Sequence, residues 1–321
     1  MASVLSAFKL SSSSPLLSLD HASASLSSPS SSSVFKYRPA VILPGLGNNS
    51  SDYQKLELTL RNYGVETVVA KVSRFDWLRN AAGLVDPNYW RGTLRPRPVL
   101  DWYLKRVDEA VQEAKELSQG CTLSLIGHSA GGWLARIYME DFGISHISLL
   151  LTLGTPHLPP PKGLPGVIDQ TRGLLNYVEK HCSKAVYTSQ LKYVCIAGRY
   201  IQGAPFFGSS NANVDNVLPI EGTALPISES DGAVINNTST STSVSTTTLR
   251  ARIVGQGYKQ VCGEANVWGD GVVPQASAHL DGALNISLDG VYHSPLGSDD
   301  ASKPWYGSPD VVEQWIHHLL N

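Results

Sequence analysis

The sequence predicts an α/β protein in which a mostly parallel central sheet is covered by helices on both faces. First, apolar strand-like segments alternate with helical segments along residues 37–321. Second, strands that are joined by helical crossovers pair in parallel, because no tight hairpin connects them. Third, 42% of the 321 residues are hydrophobic and 16% are charged, which is enough apolar material for a large core.

Each predicted element follows from its local pattern of apolar residues. Continuous apolar runs of strand length predict strands at Ala40–Leu43, 65–72, 121–127, 147–154, 193–198 and 283–290. Helical periodicity and end signals predict helices at 52–63, 99–117, 131–142 and 310–320. The second of these helices carries one apolar stripe at spacings of 4, 3, 4 and 3 residues, formed by Leu100, Leu104, Val107, Val111 and Ala114. Residues 75–98, which contain prolines and tryptophans, are predicted to form a loop.

Two segments interrupt the alternation of strands and helices. Residues 156–187 begin with PHLPPPKGLPG and continue into an amphipathic stretch, which predicts either a small lid over a site for apolar ligands or a packed surface helix. Residues 202–248 are rich in Gly, Asn, Ser and Thr and end in NNTSTSTSVSTTT. Such a composition lacks the apolar surface needed for a packed structure, so we expect a flexible insertion inside a single domain of residues 37–321.

The N-terminal segment differs from the rest of the chain. Its first 33 residues contain 15 serines, one acidic residue, one lysine and no arginine. The serine run 11–14 interrupts any apolar core of a secretory signal, and the lack of arginine argues against a mitochondrial presequence. We therefore expect residues 1–36 to be a disordered transit peptide that directs the protein to the chloroplast. An ordinary disordered N terminus is the alternative.

Composition also excludes several classes of protein. The formal net charge of -2 gives no electrostatic footprint for nucleic acid. No stretch approaches the roughly 18 consecutive apolar residues of a membrane span, although peripheral contact with a membrane is compatible with the sequence. The four cysteines lack the spacing of a zinc site, and neither a metal ion nor a cofactor is expected. Cys121 and Cys195 lie in apolar runs and are expected to be buried free thiols.

The segment GHSAGG at residues 127–132 carries the strongest chemical signal. It follows a predicted strand directly and opens a predicted helix directly, which is the setting of a nucleophile elbow with the pattern G-x-S-x-G. Gly127 and Gly131 allow the strand and the helix to approach closely around a strained serine. Ser129 is therefore predicted to be a nucleophile rather than a small residue in a structural turn.

A serine hydroxyl group needs a base and an orienting carboxylate to become nucleophilic. His293 follows the last predicted strand and precedes the closing helix, which makes it the expected base. His279 precedes that strand and His317 lies within the terminal helix, so both are weaker candidates.

Asp270 is the expected carboxylate, because GDG places it in a rigid turn between two glycines and the order Ser, Asp, His fits the elbow. Asp281 and Asp289 flank the last strand and resemble turn residues. Two further aspartates, Asp215 and Asp231, lie in the expected flexible insertion, where an imidazole could hardly be held in place.

An oxyanion also needs hydrogen-bond donors. The backbone N–H group of Ala130, the residue after the nucleophile, is one expected donor. The PGLG loop after the first strand supplies the other, and Leu46 is the best position in it. Asn48 or Asn49 could add a side-chain donor.

Together these motifs resemble the α/β-hydrolase superfamily, in its lipase and esterase branch, and in particular plant plastid hydrolases described as GPI inositol deacylase-like. PGLG corresponds to the oxyanion loop H-G-x-G, GHSAGG to the elbow, TLGTPH to the strand and turn that follow it, GDGVVP to the acid turn, and YHSP to the base. The chain departs from the family pattern at two places. Pro44 stands where the family has the histidine of the oxyanion loop. The Ser/Thr-rich insertion lengthens the stretch of chain between the YVCIAG strand and Asp270. The resemblance extends over residues 37–321.

The resemblance implies hydrolysis of an ester or thioester of a lipid-like acyl substrate. We expect a serine ester hydrolase that acts through an acyl-enzyme on a small-molecule lipid or acyl ester. An acyl thioesterase is the first alternative. The second is a non-catalytic small-ligand receptor with this fold, as in plant hormone perception, although residues 156–187 are short for the helical cap of such receptors. A plastid address argues against a GPI substrate.

Overall fold

A computed structural model describes residues 37–206 and 248–321 and shows the predicted α/β architecture. Six parallel strands form the central sheet in the order β2-β1-β3-β4-β5-β8. The strands are β1 (Ala40–Leu43), β2 (Thr67–Val69), β3 (Leu123–His128), β4 (Ile147–Leu153), β5 (Lys192–Arg199) and β8 (Leu284–Asp289). A second, two-stranded antiparallel sheet pairs β6 (Ile201–Gln202) with β7 (Trp268–Gly269).

Helices lie between the strands along the chain, and the last helix follows β8. They are α1 (Gln54–Asn62), α2 (Pro87–Trp90), α3 (Asp101–Leu117), α4 (Ala130–Phe142), α5 (Leu174–His181), α6 (Leu249–Cys262) and α7 (Pro309–Trp315). In the described part of the chain, 3-10 segments occupy Ser50–Tyr53, Arg74–Val85, Gln275–Ala278 and Ile316–His318. The prediction of a mostly parallel sheet with helices is confirmed.

The core lies on both faces of the sheet. Every residue of β1, β3 and β4 is buried, as continuous apolar runs in a doubly covered parallel sheet require. On one face, α3 and α4 pack against the sheet, and all five residues of the predicted apolar stripe of α3 are at most 4% exposed. On the other face, the sheet packs against α1 and α7. Register pairs Leu43 at the end of β1 with Gly127, two residues before Ser129, so the loop after β1 emerges beside the elbow.

Residues 75–98 are not the plain loop that we expected. They contain most of the 3-10 segment Arg74–Val85 and the short helix α2. Ser73 and Asp76 form a capping box at the start of the first, while the Asp86 side chain caps α2 and Pro87 occupies its first turn. Local capping signals therefore specify helical turns where proline and tryptophan content indicated irregular structure.

Other expectations have different outcomes. Helix α6 was not predicted; Thr248 caps it by accepting a hydrogen bond from the N–H group of Ala251. The expected transit peptide, residues 1–36, lies outside the described residues, as do residues 207–247 of the expected insertion. Cys195 is buried as expected, but Cys121 is exposed, because β3 begins only at Leu123 and leaves it in the preceding turn.

Candidate active site

The elbow at Ser129 joins the last residue of β3 to the first residue of α4. Ser129 has φ 52° and ψ −125°, a conformation that a side chain rarely adopts and that costs conformational energy. Its N–H group donates to the carbonyl oxygen of Leu153 at 2.9 Å, which fixes the turn to the end of β4. A Cβ atom at Gly127 would lie 2.4 Å from the Cα atom of Gly132, and one at Gly131 would lie 2.2 Å from the carbonyl oxygen of Leu43. Both glycines are therefore needed for the close approach that the sequence pattern indicated.

The structure brings Ser129, His293 and Asp270 together in one hydrogen-bonded row. His293 Nε2 lies 3.0 Å from Ser129 Oγ, and His293 Nδ1 lies 2.7 Å from Asp270 Oδ2. A carboxylate only accepts, so Nδ1 carries the hydrogen and Nε2 accepts from the serine hydroxyl group. Asp270 is fully buried, His293 is 6% exposed, and Ser129 is partly exposed. This is the geometry in which an imidazole can take the proton of a serine hydroxyl group.

Four donors surround the Asp270 carboxylate. Oδ2 accepts from His293 and from the Tyr306 hydroxyl group at 2.8 Å. Oδ1 accepts from the backbone N–H groups of Val272 at 3.0 Å and Val273 at 2.7 Å. Since each oxygen atom has two donors, the carboxylate cannot rotate without losing hydrogen bonds, and its orientation toward the imidazole is fixed.

A second, buried chain of hydrogen bonds links the loop after β1 to His293. The N–H group of Gly45 donates to Tyr53 Oη at 2.8 Å, and Tyr53 Oη lies 2.7 Å from His128 Nδ1. His128 Nε2 lies 2.9 Å from the carbonyl oxygen of His293. That carbonyl oxygen can only accept, so Nε2 of His128 carries the hydrogen and the Tyr53 hydroxyl group donates to Nδ1. Burial, followed by the nearby His293, lowers the pKa of His128 to about 3, which keeps its imidazole neutral.

The two expected oxyanion residues, Leu46 and Ala130, both line the cavity that contains Ser129. Leu46 lies in a tight turn in which Asn48 N donates to the Gly45 carbonyl oxygen at 3.0 Å. Ala130 is the first residue of α4, where a backbone N–H group has no intrahelical partner and the helix dipole is positive. The Asn48 carbonyl oxygen accepts a hydrogen bond from Trp77 Nε1 at 2.9 Å, which holds the end of this turn in place.

A cavity of about 560 Å³ opens at Ser129. Its wall is predominantly apolar, and its size falls in the range of small-molecule sites. Residues 156–187, for which we expected either a small lid or a packed surface helix, contribute several apolar side chains to the wall, including Pro156, Leu158, Pro160, Leu174 and Leu175. Ser129 is part of the same wall.

The weaker candidates lie apart from this row. His279 lies 3.1 Å from the Ser287 hydroxyl group, and His317 is exposed at the C terminus. Asp281 is exposed, and Asp289 forms an ion pair with Arg199. Asp215 and Asp231 lie outside the described residues.

Sequence reasoning missed the hydrogen-bonding roles of Tyr306 and Tyr53. Neither tyrosine belongs to one of the recognised motifs; Tyr306 lies in KPWYGSP and Tyr53 in NNSSDY. Within residues 37–206 and 248–321, no group of three or more His, Cys, Asp and Glu side chains is placed to hold a metal ion. Among the helices of the same residues, none has both the length and the hydropathy of a membrane-spanning segment.

Comparison with known proteins gives a family match over part of the chain. Residues 98–201 match the PGAP1-like alpha/beta domain. Two GPI inositol-deacylases from Cryptococcus neoformans var. neoformans serotype D, from strains B-3501A and JEC21, are each 33% identical to this chain over 61 residues. That alignment covers 19% of this chain and only 8% and 7% of those relatives, so the chain spans a small part of their length.

Among solved structures, the lipase BlEst2 from Bacillus licheniformis overlaps 89% of this chain and 93% of its own, with 15% identity and a TM-score of 0.43. An esterase from Exiguobacterium antarcticum overlaps 39% of this chain and 41% of its own, with 16% identity and a TM-score of 0.25. The order of the parallel strands and the strained elbow define an α/β-hydrolase fold in this chain.

Proposed function

We propose that this chain is a serine hydrolase that cleaves the carboxylic ester bond of a lipid-like acyl substrate through an acyl-enzyme. The observation that carries the proposal is the hydrogen-bonded row of Ser129, His293 and Asp270, whose serine lies in the wall of an apolar cavity. A hydrogen-bonded serine alone would be unremarkable in a folded protein. A strained serine with an oriented imidazole, open to a cavity, is a site poised for nucleophilic attack.

In the first half of the proposed reaction, Ser129 Oγ attacks the carbonyl carbon of the ester while its proton passes to His293 Nε2. The backbone N–H groups of Leu46 and Ala130 stabilise the negative oxygen atom of the tetrahedral intermediate. Collapse of the intermediate breaks the bond to the alcohol, which leaves with the proton from His293. Asp270 stays ionised throughout and stabilises the imidazolium ion that forms between these steps.

In the second half, water attacks the acyl group on Ser129 and gives its proton to His293. The second tetrahedral intermediate then collapses, the proton returns to Ser129 Oγ, and the carboxylic acid is released. The apolar wall of the cavity supports an acyl chain as the bound part of the substrate, because burial of methylene groups is favourable there. The name deacylase, which the partial relatives carry, denotes removal of an acyl group and is in line with this chemistry.

A fluorophosphonate probe tests the proposal directly. Wild-type protein should form a covalent adduct at Ser129 and hydrolyse p-nitrophenyl acyl esters, whereas Ser129→Ala should do neither. His293→Ala should lose nearly as much activity, because the two residues act as a unit and their losses do not add. Ser287→Ala, which alters a hydroxyl group outside the cavity, is the matched control and should keep activity. Unchanged labelling of Ser129→Ala would refute the proposal.

A further inference from the structure

The mouth of the cavity is bordered by a segment whose large apolar side chains point into solvent. We call residues 74–97 the rim segment. Phe75 is 81% exposed, Leu78 is 68% exposed, Val85 is 88% exposed and Trp90 is 69% exposed. Single exposed apolar residues are normal on a protein surface, but these four all lie between residues 75 and 90 of one segment.

The same segment is anchored firmly on its inner side. Trp77 is 8% exposed, and its ring packs against those of Trp102 and Tyr103 at centroid distances of 5.2 Å each. Trp90 Nε1 donates to the Leu84 carbonyl oxygen at 2.9 Å, which holds this indole against its own turn. These contacts hold parts of the rim segment in place beneath its exposed side chains.

The outer surface of the rim segment is continuous with the cavity. Several of its residues line the cavity wall, namely Trp77, Asn80, Ala81, Leu84, Tyr89 and Leu94. Leu84 is at once part of that wall and 45% exposed. On the other sides of the mouth, Leu46, Leu158 and Val272 likewise line the cavity and are 63%, 45% and 48% exposed. Leu84 therefore belongs both to the cavity wall and to the exposed surface of the rim segment.

The rim segment is also basic, in a chain with a net charge of -2. It contains five arginines and two aspartates, and neither lysine nor glutamate. Three of the arginines pair with aspartates: Arg74, Arg79 and Arg97. Arg91 and Arg95 are exposed, and no carboxylate of the described residues forms an ion pair with either of them. Exposed apolar side chains beside unpaired arginines favour a partner that is both apolar and anionic.

We infer that the rim segment docks the protein on the surface of a membrane that contains anionic lipids. Phe75, Leu78 and Val85 enter the boundary between the headgroups and the acyl chains, and Trp90 lies at headgroup level, where amphipathic rings are favoured. Arg91 and Arg95 bind anionic headgroups. This placement directs the cavity mouth toward the lipid, so an acyl chain can move from the bilayer to Ser129. Only this last step rests on the proposed ester hydrolysis.

Flotation with vesicles tests the docking. Wild-type protein should float with vesicles of equal parts phosphatidylcholine and phosphatidylglycerol and should bind much less to phosphatidylcholine alone. The triple variant Phe75→Ser, Leu78→Ser, Val85→Ser should lose at least about tenfold in affinity for the mixed vesicles. None of these three side chains lines the cavity, so hydrolysis of a soluble p-nitrophenyl ester should be unchanged.

A control variant removes three exposed apolar side chains outside the rim segment. Leu58, Ile144 and Val186 are 58%, 48% and 53% exposed and do not line the cavity. Their triple replacement by serine should leave flotation unchanged. If the rim variant floats like wild type, or if wild type does not float at all, the docking is refuted. A different result would be that wild type does not bind vesicles but self-associates in sedimentation equilibrium, and that the rim variant does not self-associate. The docking on a membrane would then be refuted, and the surface would bind a second copy of the chain.

A second variant tests the contribution of the two arginines separately from that of the apolar side chains. Arg91→Gln with Arg95→Gln should weaken binding to mixed vesicles by about fivefold per arginine and flatten its dependence on salt. An unchanged affinity would refute the role of the arginines.

The catalytic variant Ser129→Ala tests whether docking is independent of ester hydrolysis. It should float like wild type, because docking needs no catalysis. Flotation of a protein that hydrolyses no soluble ester would leave the docking standing and refute the proposed function alone.

Discussion

The hydroxyl group of Tyr306 donates to the same oxygen atom of Asp270 that accepts from His293 Nδ1. The Tyr306 oxygen atom in turn accepts from the N–H group of Gly198 at 2.8 Å. Tyr306 is fully buried, and burial, followed by the nearby Asp270, raises its pKa well above the usual range, so it stays a donor. This tyrosine therefore connects β5 to the carboxylate and limits how much negative charge Asp270 presents to the imidazole.

Replacing Tyr306 with Phe should lower kcat by about tenfold, because the Asp270 carboxylate loses one of its four donors and is held less firmly toward His293. Steady-state kinetics measures this. Tyr187→Phe, at a half-exposed tyrosine, is the control and should keep activity. An unchanged kcat for Tyr306→Phe would contradict this role of the tyrosine.

Replacing Asp270 with Asn should preserve the fold and reduce kcat by about 10⁴-fold, because the amide group favours the wrong tautomer of the imidazole. Asp281→Asn and Asp289→Asn should stay within about tenfold of wild type, since neither carboxylate contacts His293. Steady-state kinetics with circular dichroism distinguishes these cases. A nearly inactive Asp289→Asn beside an active Asp270→Asn would show that the acid has been misassigned.

Replacing Tyr53 with Phe should reduce the free energy of unfolding by about 1–3 kcal/mol, because the buried Gly45 N–H group and His128 Nδ1 both lose their partner. Urea denaturation gives this value. Tyr63→Phe removes a hydroxyl group from a partly exposed ring and should change stability by only a few tenths of a kcal/mol. Equal effects of the two substitutions would mean that the chain through His128 contributes nothing to stability.

The free energy of unfolding should fall as the pH drops below about 6.5. Burial lowers the pKa of both His128 and His157 to about 3, against an ordinary value of 6.5. Between these values the unfolded chain binds protons that the folded chain does not, so stability is full above pH 6.5 and decreases toward pH 3. Each histidine contributes about 1.4 kcal/mol per pH unit once the pH is well below 6.5.

Urea denaturation at about pH 7 and about pH 5 checks this slope. His157→Gln removes one of the two groups and should make the dependence shallower, even if it lowers stability at neutral pH. A free energy of unfolding that is equal at the two pH values would contradict the assignment of both histidines as neutral, buried groups.

The serine-rich N-terminal segment leads to a prediction about location. A fluorescent protein fused behind residues 1–50 should enter chloroplasts, because the segment combines many serines with few acidic residues. Confocal microscopy of plant cells reads the result. A fusion that lacks residues 1–36 is the control and should stay in the cytosol. A uniformly cytosolic signal from the longer fusion would contradict the expected transit peptide.

Local patterns in the sequence determined the sheet, most helices and the elbow. The apolar runs of β1, β3 and β4 are continuous, and the apolar stripe of α3 repeats at helical spacing. Each pattern therefore indicates both the type of element and which of its residues are buried. Gly127 and Gly131 lie within two residues of Ser129, which is why the strained turn could be predicted. Where capping residues rather than apolar periodicity specify the structure, as in Arg74–Val85, the prediction of a loop was wrong.

Only the tertiary structure decided which distant groups meet. Asp270 and Tyr306 are 36 positions apart, and Tyr53 and His128 are 75 apart, so no local spacing records their hydrogen bonds. The sequence left Asp281 and Asp289 as alternatives to Asp270 because all three are turn aspartates near the end of the sheet. The structure distinguishes Asp270 from the other two, because only Asp270 is packed beside His293. A hydrogen bond depends on the positions of two groups in space, whereas a sequence motif gives only their positions along the chain.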